Sequence, residues 1–417
     1  MNVIHVQGNG PLTGEITVQG SKNAVLPILA ATILIDGTCI LKNCPDISDV
    51  HCMLQLLKSM GCTVLWEEEG LKVDASSIKE SRLPRETVIS MRSSVILLGP
   101  LLARCKEASM SYPGGCVIGE RPIDIHLYIL EQLGAVFSLE QTGIKGKASK
   151  LLGKEITLRF PSVGATENGI LASVLAKGRT ILRNCAKEPE IQELCFFLNK
   201  AGADIKGIGT STLIIDGVNS LYPLTYTVEA DRIVAGTYLL SAVATQGDIC
   251  IRNAPVSVME STIETARKMG CKIWENEQGL RVRQSDRPSA IPYIDTSIYP
   301  GFPTDLQSVL ITVLAKSKGE SIVEETIFSN RFRIAEDLKR MGAAITIKGK
   351  CAHICGVDNL IGRHVVAEDL RGGAALVLAG ICADGETFIN NCHYICRGYE
   401  NICRDFRLLG ASIESIS

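Results

Sequence analysis

A glycine that closes a helical stretch and precedes a short β-run recurs along this chain at nearly constant spacing. The glycines are Gly61, Gly134, Gly202, Gly270, Gly342 and Gly410, separated by 73, 68, 68, 72 and 68 positions. Leu56–Gly61 leads into Cys62-Thr63-Val64, Leu130–Gly134 into Ala135-Val136-Phe137, and Phe197–Gly202 into Ala203-Asp204-Ile205. Ala266–Gly270 leads into Cys271-Lys272-Ile273, Leu338–Gly342 into Ala343-Ala344-Ile345, and Phe406–Gly410 into Ala411-Ser412-Ile413. A period of about 70 residues thus fills the chain six times, the mark of one supersecondary unit repeated.

The unit has a physical logic. In the first copy Val50, Met53, Leu57 and Met60 fall on one helical face, and Gly61 supplies the left-handed position that ends the helix. An earlier apolar helix and turn accompany it: Pro27–Leu34 with Gly37, Ile170–Leu175 with Gly178, Thr237–Val243 with Gly247, Val309–Leu314 with Gly319, and Ala374–Ala379 with Gly385. The second copy has Lys106-Glu107 where that glycine would stand. Six such units predict an α/β chain of two domains with three units each, and a substrate cleft between two similar domains. A repeat scaffold that only binds partners is the competing reading of the same pattern.

Charge narrows the field. Lys and Arg number 43 against 45 Asp and Glu, so no global basic field for nucleic acid or an acidic membrane is expected. Met1–Gly14 shows no secretory pattern, and the longest apolar stretch, Ala24–Ile35, is too short to span a bilayer. A cytoplasmic location follows as the expectation, and with it reduced thiols for the 16 cysteines. Cys351 and Cys355 flank His353, but on a strand they would stand about 13 Å apart, too far to share one ion. Core thiols are therefore expected, with neither a metal nor a cofactor implied.

Anion binding must then come from cations gathered locally. Lys22, Arg92, Arg121, Arg331, Arg371 and Arg397 each sit before or at the start of a predicted helix, the last at Tyr399–Leu409. A cation there is disfavoured by about 0.3–1 kcal/mol. Six together suggest helix N-termini and cations arranged around phosphate and carboxylate groups. Cys116, within Pro113–Gly119, is flanked by glycines as in a closing loop, or is one more ordinary cysteine. Thr304 or Asp305 either caps the helix at Leu306–Leu314, or Asp305 is a general base. Asp369 either pairs locally with Arg371 or orients it.

Taken in order, these segments resemble the UDP-N-acetylglucosamine 1-carboxyvinyltransferases, enolpyruvyl transferases of peptidoglycan synthesis. The resemblance covers nearly the whole chain: Gly20-Ser21-Lys22-Asn23-Ala24, Met91-Arg92, Gly114-Gly115-Cys116, Gly119–His126, Ser162–Thr166, Lys187–Ile191, Phe302–Asp305, Asn330-Arg331-Phe332, Asp369-Leu370-Arg371 and Arg397–Glu400. It implies an inside-out α/β barrel, with residues 22–229 as one three-unit domain, residues 1–21 and 230–417 as the other, and the active site in the cleft between them. The donor would be phosphoenolpyruvate and the acceptor UDP-N-acetylglucosamine, with no metal and no cofactor. Cys116 would be the general acid, and Asp305 would deprotonate the sugar hydroxyl or the intermediate. Lys22, Arg121, Arg331, Arg371 and Arg397 would hold phosphate and carboxylate, with Asp369 beside them. Asn23 would contact the intermediate. Arg92, Arg121, Pro122, Ile123, Asp124, Ile125, Ser162, Val163, Gly164, Asp305 and Ile327 would line the UDP-sugar site. Phe160 stands where some members carry a Lys near the nucleotide. The runner-up, 5-enolpyruvylshikimate-3-phosphate synthase, shares fold and donor but not acceptor; the Gly-Gly-Cys loop and the Arg-Pro-Ile-Asp run favour the UDP-sugar enzyme. A non-catalytic sensor of a wall precursor is a further alternative, opposed by the presence of Lys22, Cys116 and Arg397. The residues assign no protein partner.

Overall fold

A computed structural model describes residues 3–114 and 122–416. Cys116 and Arg121 lie outside the described residues. Twelve helices carry most of the architecture. They are α1 (Lys22–Thr32), α2 (Ser48–Ser59), α3 (Leu98–Cys105), α4 (Asp124–Gln132), α5 (Val163–Ser173), α6 (Pro189–Lys200), α7 (Arg232–Thr245), α8 (Glu260–Lys268), α9 (Gln307–Lys316), α10 (Ile334–Arg340), α11 (Leu370–Cys382) and α12 (Ile402–Leu408).

The even-numbered helices all end the same way. Gly61, Gly134, Gly202, Gly270, Gly342 and Gly410 have φ between +87° and +106°. In each case the residue after the glycine donates its N–H to a carbonyl five residues back, at 2.9–3.1 Å (Cys62 to Leu57 and Ala411 to Phe406, for example). This is the Schellman closure, which satisfies carbonyls the helix leaves over. A strand follows each one: β1 (Thr63–Glu67), β2 (Val136–Glu140), β3 (Asp204–Lys206), β4 (Lys272–Asn276), β5 (Ala344–Lys348) and β6 (Ser412–Ile416). Val50, Met53, Leu57 and Met60 are all fully buried, the face that the 3.6-residue period picks out.

The odd-numbered helices are apolar all round. From Ile233 to Thr245 every residue of α7 is buried, and α9 and α11 are nearly as enclosed. Hydroxyls there bond back to their own helix: Thr237 to the Ile233 carbonyl, Ser241 to Thr237 and Thr245 to Ser241, at 2.7–2.8 Å. After each odd-numbered helix one residue is left-handed: Gly37, Lys106, Gly178, Gln246, Gly319 or Gly385. Lys106 (φ 64°) thus takes the conformation that glycine takes elsewhere, at a cost of about 1–2 kcal/mol.

Contacts divide the chain into two units. One runs from Gly20 to Glu229; the other joins the residues up to Gln19 to those from Ala230 on. In the first, α1 packs on α6, and α5 packs on both α3 and α4. In the second, α7, α9 and α11 pack on one another. The opening strand Val3–Gln7 lies between Glu386–Asn390 and β6, antiparallel to both, and Thr13–Thr17 runs parallel to Asp248–Arg252. Among the described residues there are five four-stranded sheets, one three-stranded and one two-stranded, and none closes on itself. The sheets therefore form no single cylinder, and the apolar helices make up the interior of each unit. Among the described residues no helix is long and apolar enough to cross a membrane.

Candidate functional site

In the Gly20–Glu229 unit the first cluster forms at the start of α1. Ser21 caps the helix, its Oγ accepting from the Ala24 N–H at 3.3 Å. Lys22 is the first helical residue, and its Nζ lies 2.7 Å from Asp49 Oδ2 on α2. The two side chains are 11% and 5% exposed, so the carboxylate fixes the ammonium with little competition from water. Asn23 is half-buried beside them. Arg92 opens the 3-10 turn Arg92–Leu97 that feeds α3.

A second group gathers around α4 and α5. Pro122 is exposed, Ile123 and Ile125 are half-buried, and Asp124 begins α4 paired with Arg159. Ser162 caps α5 through the Ala165 N–H, and Val163 and Gly164 are its first residues. Gly164 sits against His126, where a Cβ would come within 3.0 Å of the ring. His126 is held in turn by Asn168, whose amide nitrogen lies 2.8 Å from Nδ1 and 2.9 Å from the Val95 carbonyl. The Asn168 carbonyl accepts from the Gly99 N–H at 2.7 Å, tying α3, α4 and α5 through one fully buried side chain. Phe160 is exposed.

In the other unit the cluster centres on Asp305. Its Oδ1 accepts from Arg331 Nη2 at 2.6 Å and its Oδ2 from Arg371 Nη2 at 2.9 Å. The guanidinium side chains are 2% and 4% exposed against 29% for the carboxylate, so Asp305 is the wetter edge of a buried triad. Desolvation works against the Arg371 charge, but Asp305, Tyr399 and Asp231 outweigh it and raise the guanidinium above its ordinary value. Arg371 Nη1 is buried without a hydrogen-bond partner among the described residues.

The structure decides the local hydrogen bonding of these acids. Asp305 caps nothing: Pro303 precedes the turn Thr304–Leu306 with no side-chain cap, and Thr304 Oγ1 donates to Glu325 at 2.9 Å. Asp369 makes no ion pair with Arg371. It caps α11, accepting the N–H groups of Arg371 and Gly372 at 2.9 and 3.0 Å, and so sets where the Arg371 side chain leaves the helix.

Arg397 departs from expectation. It ends the 3-10 turn Cys392–Arg397, and α12 begins only at Ile402 behind an Asn401 cap, so this cation is at the end of a turn rather than at a helix start. Arg331 stands just ahead of α10, as its position in the sequence suggests, and Lys22 and Arg371 lie within the first turns of α1 and α11.

Several supporting residues carried no sequence signal of their own. Glu325, 1% exposed, accepts from the Ile327 and Phe328 N–H groups at 2.9 and 3.0 Å and shapes the segment holding Ile327. Gln19 clamps the stretch after Arg397, donating to the Gly398 carbonyl at 3.2 Å and accepting from the Glu400 N–H at 2.9 Å. The Tyr399 hydroxyl is buried 2.7 Å from Thr237 Oγ1, and burial raises its pKa, so it stays neutral. Asp49 completes the list. A short acid beside a helix start is too common a pattern to single out.

Residues 6–406 match the family model described as EPSP synthase (3-phosphoshikimate 1-carboxyvinyltransferase). A UDP-N-acetylglucosamine 1-carboxyvinyltransferase 2 of Caldanaerobacter subterraneus is 45% identical over 416 residues, covering 100% of both chains. A UDP-N-acetylglucosamine 1-carboxyvinyltransferase of Desulfovibrio desulfuricans is 45% identical over 99% of both. Among solved structures, the enolpyruvyl transferase NikO from Streptomyces tendae superposes with a TM-score of 0.89 at 23% identity, covering 99% of this chain and 98% of that one. The EPSP synthase of Acinetobacter baumannii gives a TM-score of 0.78 at 19% identity, over 99% of each chain. The fold is therefore the mixed α/β fold of the enolpyruvyl transferases. With full-length relatives at this identity, the chain belongs to the EPSP synthase family and, within it, to the UDP-N-acetylglucosamine 1-carboxyvinyltransferases.

Proposed function

We propose that this protein transfers the enolpyruvyl group of phosphoenolpyruvate to the 3-hydroxyl of UDP-N-acetylglucosamine and releases phosphate, the first committed step of peptidoglycan precursor synthesis in the cytoplasm. Full-length similarity to enzymes of that name is the observation that carries this reading. The Asp305 triad and the Lys22–Asp49 pair give it a chemistry. The architecture we infer is six units of one plan, three in each domain, with helices inside and sheets outside.

The sugar hydroxyl attacks C2 of phosphoenolpyruvate and loses its proton to Asp305, while C3 takes a proton from Cys116. The tetrahedral product carries phosphate and a carboxylate on one carbon. Return of a proton from C3 and departure of phosphate regenerate the double bond on the new ether. Fixed cations stabilise both anionic groups more as charge builds up, and burial strengthens each contact. Arg331 and Arg371 on one unit, with Arg397, and Lys22 with Arg121 on the other, fill this role. Asn23 contacts the intermediate. Arg92, Pro122, Ile123, Asp124, Ile125, Ser162, Val163, Gly164 and Ile327 receive the UDP-sugar.

Phosphate release from phosphoenolpyruvate, measured with each acceptor, tests the assignment. Release with UDP-N-acetylglucosamine and none with shikimate 3-phosphate is expected. The reverse result would keep donor and fold and overturn the acceptor, and silence with both from folded protein would favour the sensor reading.

Asp49 enters as a positioning residue. Asp49→Ala removes a charge-assisted bond worth about 1.5–3 kcal/mol, and Lys22 then loses its fixed place. The KM for phosphoenolpyruvate is expected to rise roughly ten- to a hundredfold while the KM for the UDP-sugar moves little. Equal increases in both constants would show a general loss of structure instead.

A further inference from the structure

One cavity is lined by none of the residues assigned above. It is lined by Arg82, Leu83, Pro84, Arg85, Ser109, Met110, Ser111, Glu140, Thr142, Gly143, Ile144 and Lys145, and measures about 610 Å³. Its origin is a missing strand. Each four-stranded sheet is completed at one edge by a parallel strand, as Thr225–Thr227 completes the sheet of Thr38–Lys42. The sheet of Glu107–Met110, Gly143–Lys147 and β2 has three strands, and a single bridge, Arg82 to Ser109, stands at that edge. Past this bridge the chain pairs no further with the sheet, and the Arg82–Arg85 run forms a wall of the cavity.

The wall has a definite chemistry. Lys145 is neutralised by Glu140 at 2.8 Å. Arg82 and Arg85 are exposed at this wall, and neither forms an ion pair or side-chain hydrogen bond with any described residue. The Ser111 Oγ is buried and has no hydrogen-bond partner among the described residues. That oxygen is shut off from the open space, so it belongs to the wall and is not a donor to a molecule in the cavity. Leu83, Met110 and Ile144 are buried in the same wall and offer apolar surface. Gly143 lets its strand approach the Met110 backbone closely, for a Cβ there would fall 2.2 Å from the Met110 carbonyl oxygen.

We infer that this cavity is a second binding site, for a small organic phosphate. Its phosphate groups are taken by the forked donors of Arg82 and Arg85, and its carbon body lies against Leu83, Met110 and Ile144. Guanidinium groups suit phosphate through two parallel bonds, and the volume falls in the range that holds metabolite-sized molecules. The inference does not depend on the reaction proposed above, since none of these residues serves it.

ADP is a suitable probe, with adenosine and inorganic pyrophosphate beside it. Binding is measured calorimetrically on the full chain, saturated with UDP-N-acetylglucosamine so that the nucleotide-sugar site is occupied. ADP should bind, adenosine should not, and pyrophosphate should bind more weakly than ADP. The double variant Arg82→Ala/Arg85→Ala should bind ADP at least tenfold more weakly while its turnover without ADP stays within twofold of the parent, which also shows that it folds. Absence of ADP and pyrophosphate binding at millimolar concentration would overturn the inference. So would ADP binding that the double variant leaves unchanged.

Discussion

Asp305→Asn should lower kcat about a thousandfold, the order associated with removing a positioned base. The amide keeps the shape of the carboxylate and loses both its charge and its ability to take a proton. Stability should fall as well. Arg331 and Arg371 are almost wholly enclosed and would face each other across a neutral group. Stranding a buried charge costs about 3–5 kcal/mol, less here because Asp305 itself reaches solvent. For a domain of this size that corresponds to a fall in Tm of roughly 5–10 °C. Phosphate release and thermal unfolding on one preparation separate the two effects. A lowered Tm with kcat within tenfold of the parent would make Asp305 a counter-ion and no more.

The second large effect concerns Cys116. The epoxide fosfomycin should inactivate the enzyme irreversibly, with one equivalent attached to Cys116. The thiolate opens the ring, a carbon–sulfur bond forms as the carbon–oxygen bond breaks, and the resulting alkoxide takes a proton. Eight of the other thiols are disfavoured as competitors by burial. Burial pushes Cys62, Cys185, Cys195, Cys271, Cys382 and Cys392 up to about 12, and Cys39 and Cys403 to about 11. Such thiols hold almost no thiolate at neutral pH and are poor nucleophiles. Peptide mass spectrometry should therefore find the adduct at Cys116, and Cys116→Ala should take up none. Label spread over other cysteines, or full activity after labelling, would remove Cys116 from the mechanism.

What could be read from the chain depended on whether a residue's role was local. The glycines that end the even-numbered helices were legible because only a residue without a side chain enters that backbone region freely, whatever surrounds it. Lys106 shows the limit: it is left-handed while carrying a full side chain, and no local rule announces that. Asn43, Asn184, Asn253 and Asn391 are also left-handed, each just after a strand, a backbone region that asparagine enters more readily than most residues. From sequence Asp305 can cap a helix or act as a base, and Asp369 can pair with Arg371 or orient it; only the folded chain shows Asp369 capping α11 and Asp305 accepting from Arg331 and Arg371. Gln19, Asp49 and Glu325 act across long separations on groups that move no local pattern, so nothing in their own neighbourhoods marked them.

The open sheets also bear on edge-to-edge association. β1 to β6 each form the outermost strand of a sheet, with unpaired backbone groups along one side. Several present large apolar side chains there: Trp66 and Leu65 on β1, Val136 and Leu139 on β2, Trp274 on β4. Such edges invite another chain to add itself as a further strand. Every one of the six carries charge, namely Glu67, Glu140, Asp204 with Lys206, Lys272 with Glu275, Lys348, and Glu414. An incoming strand would have to desolvate that charge, so the rim of each sheet discourages aggregation and the apolar face behind it stays private to the fold.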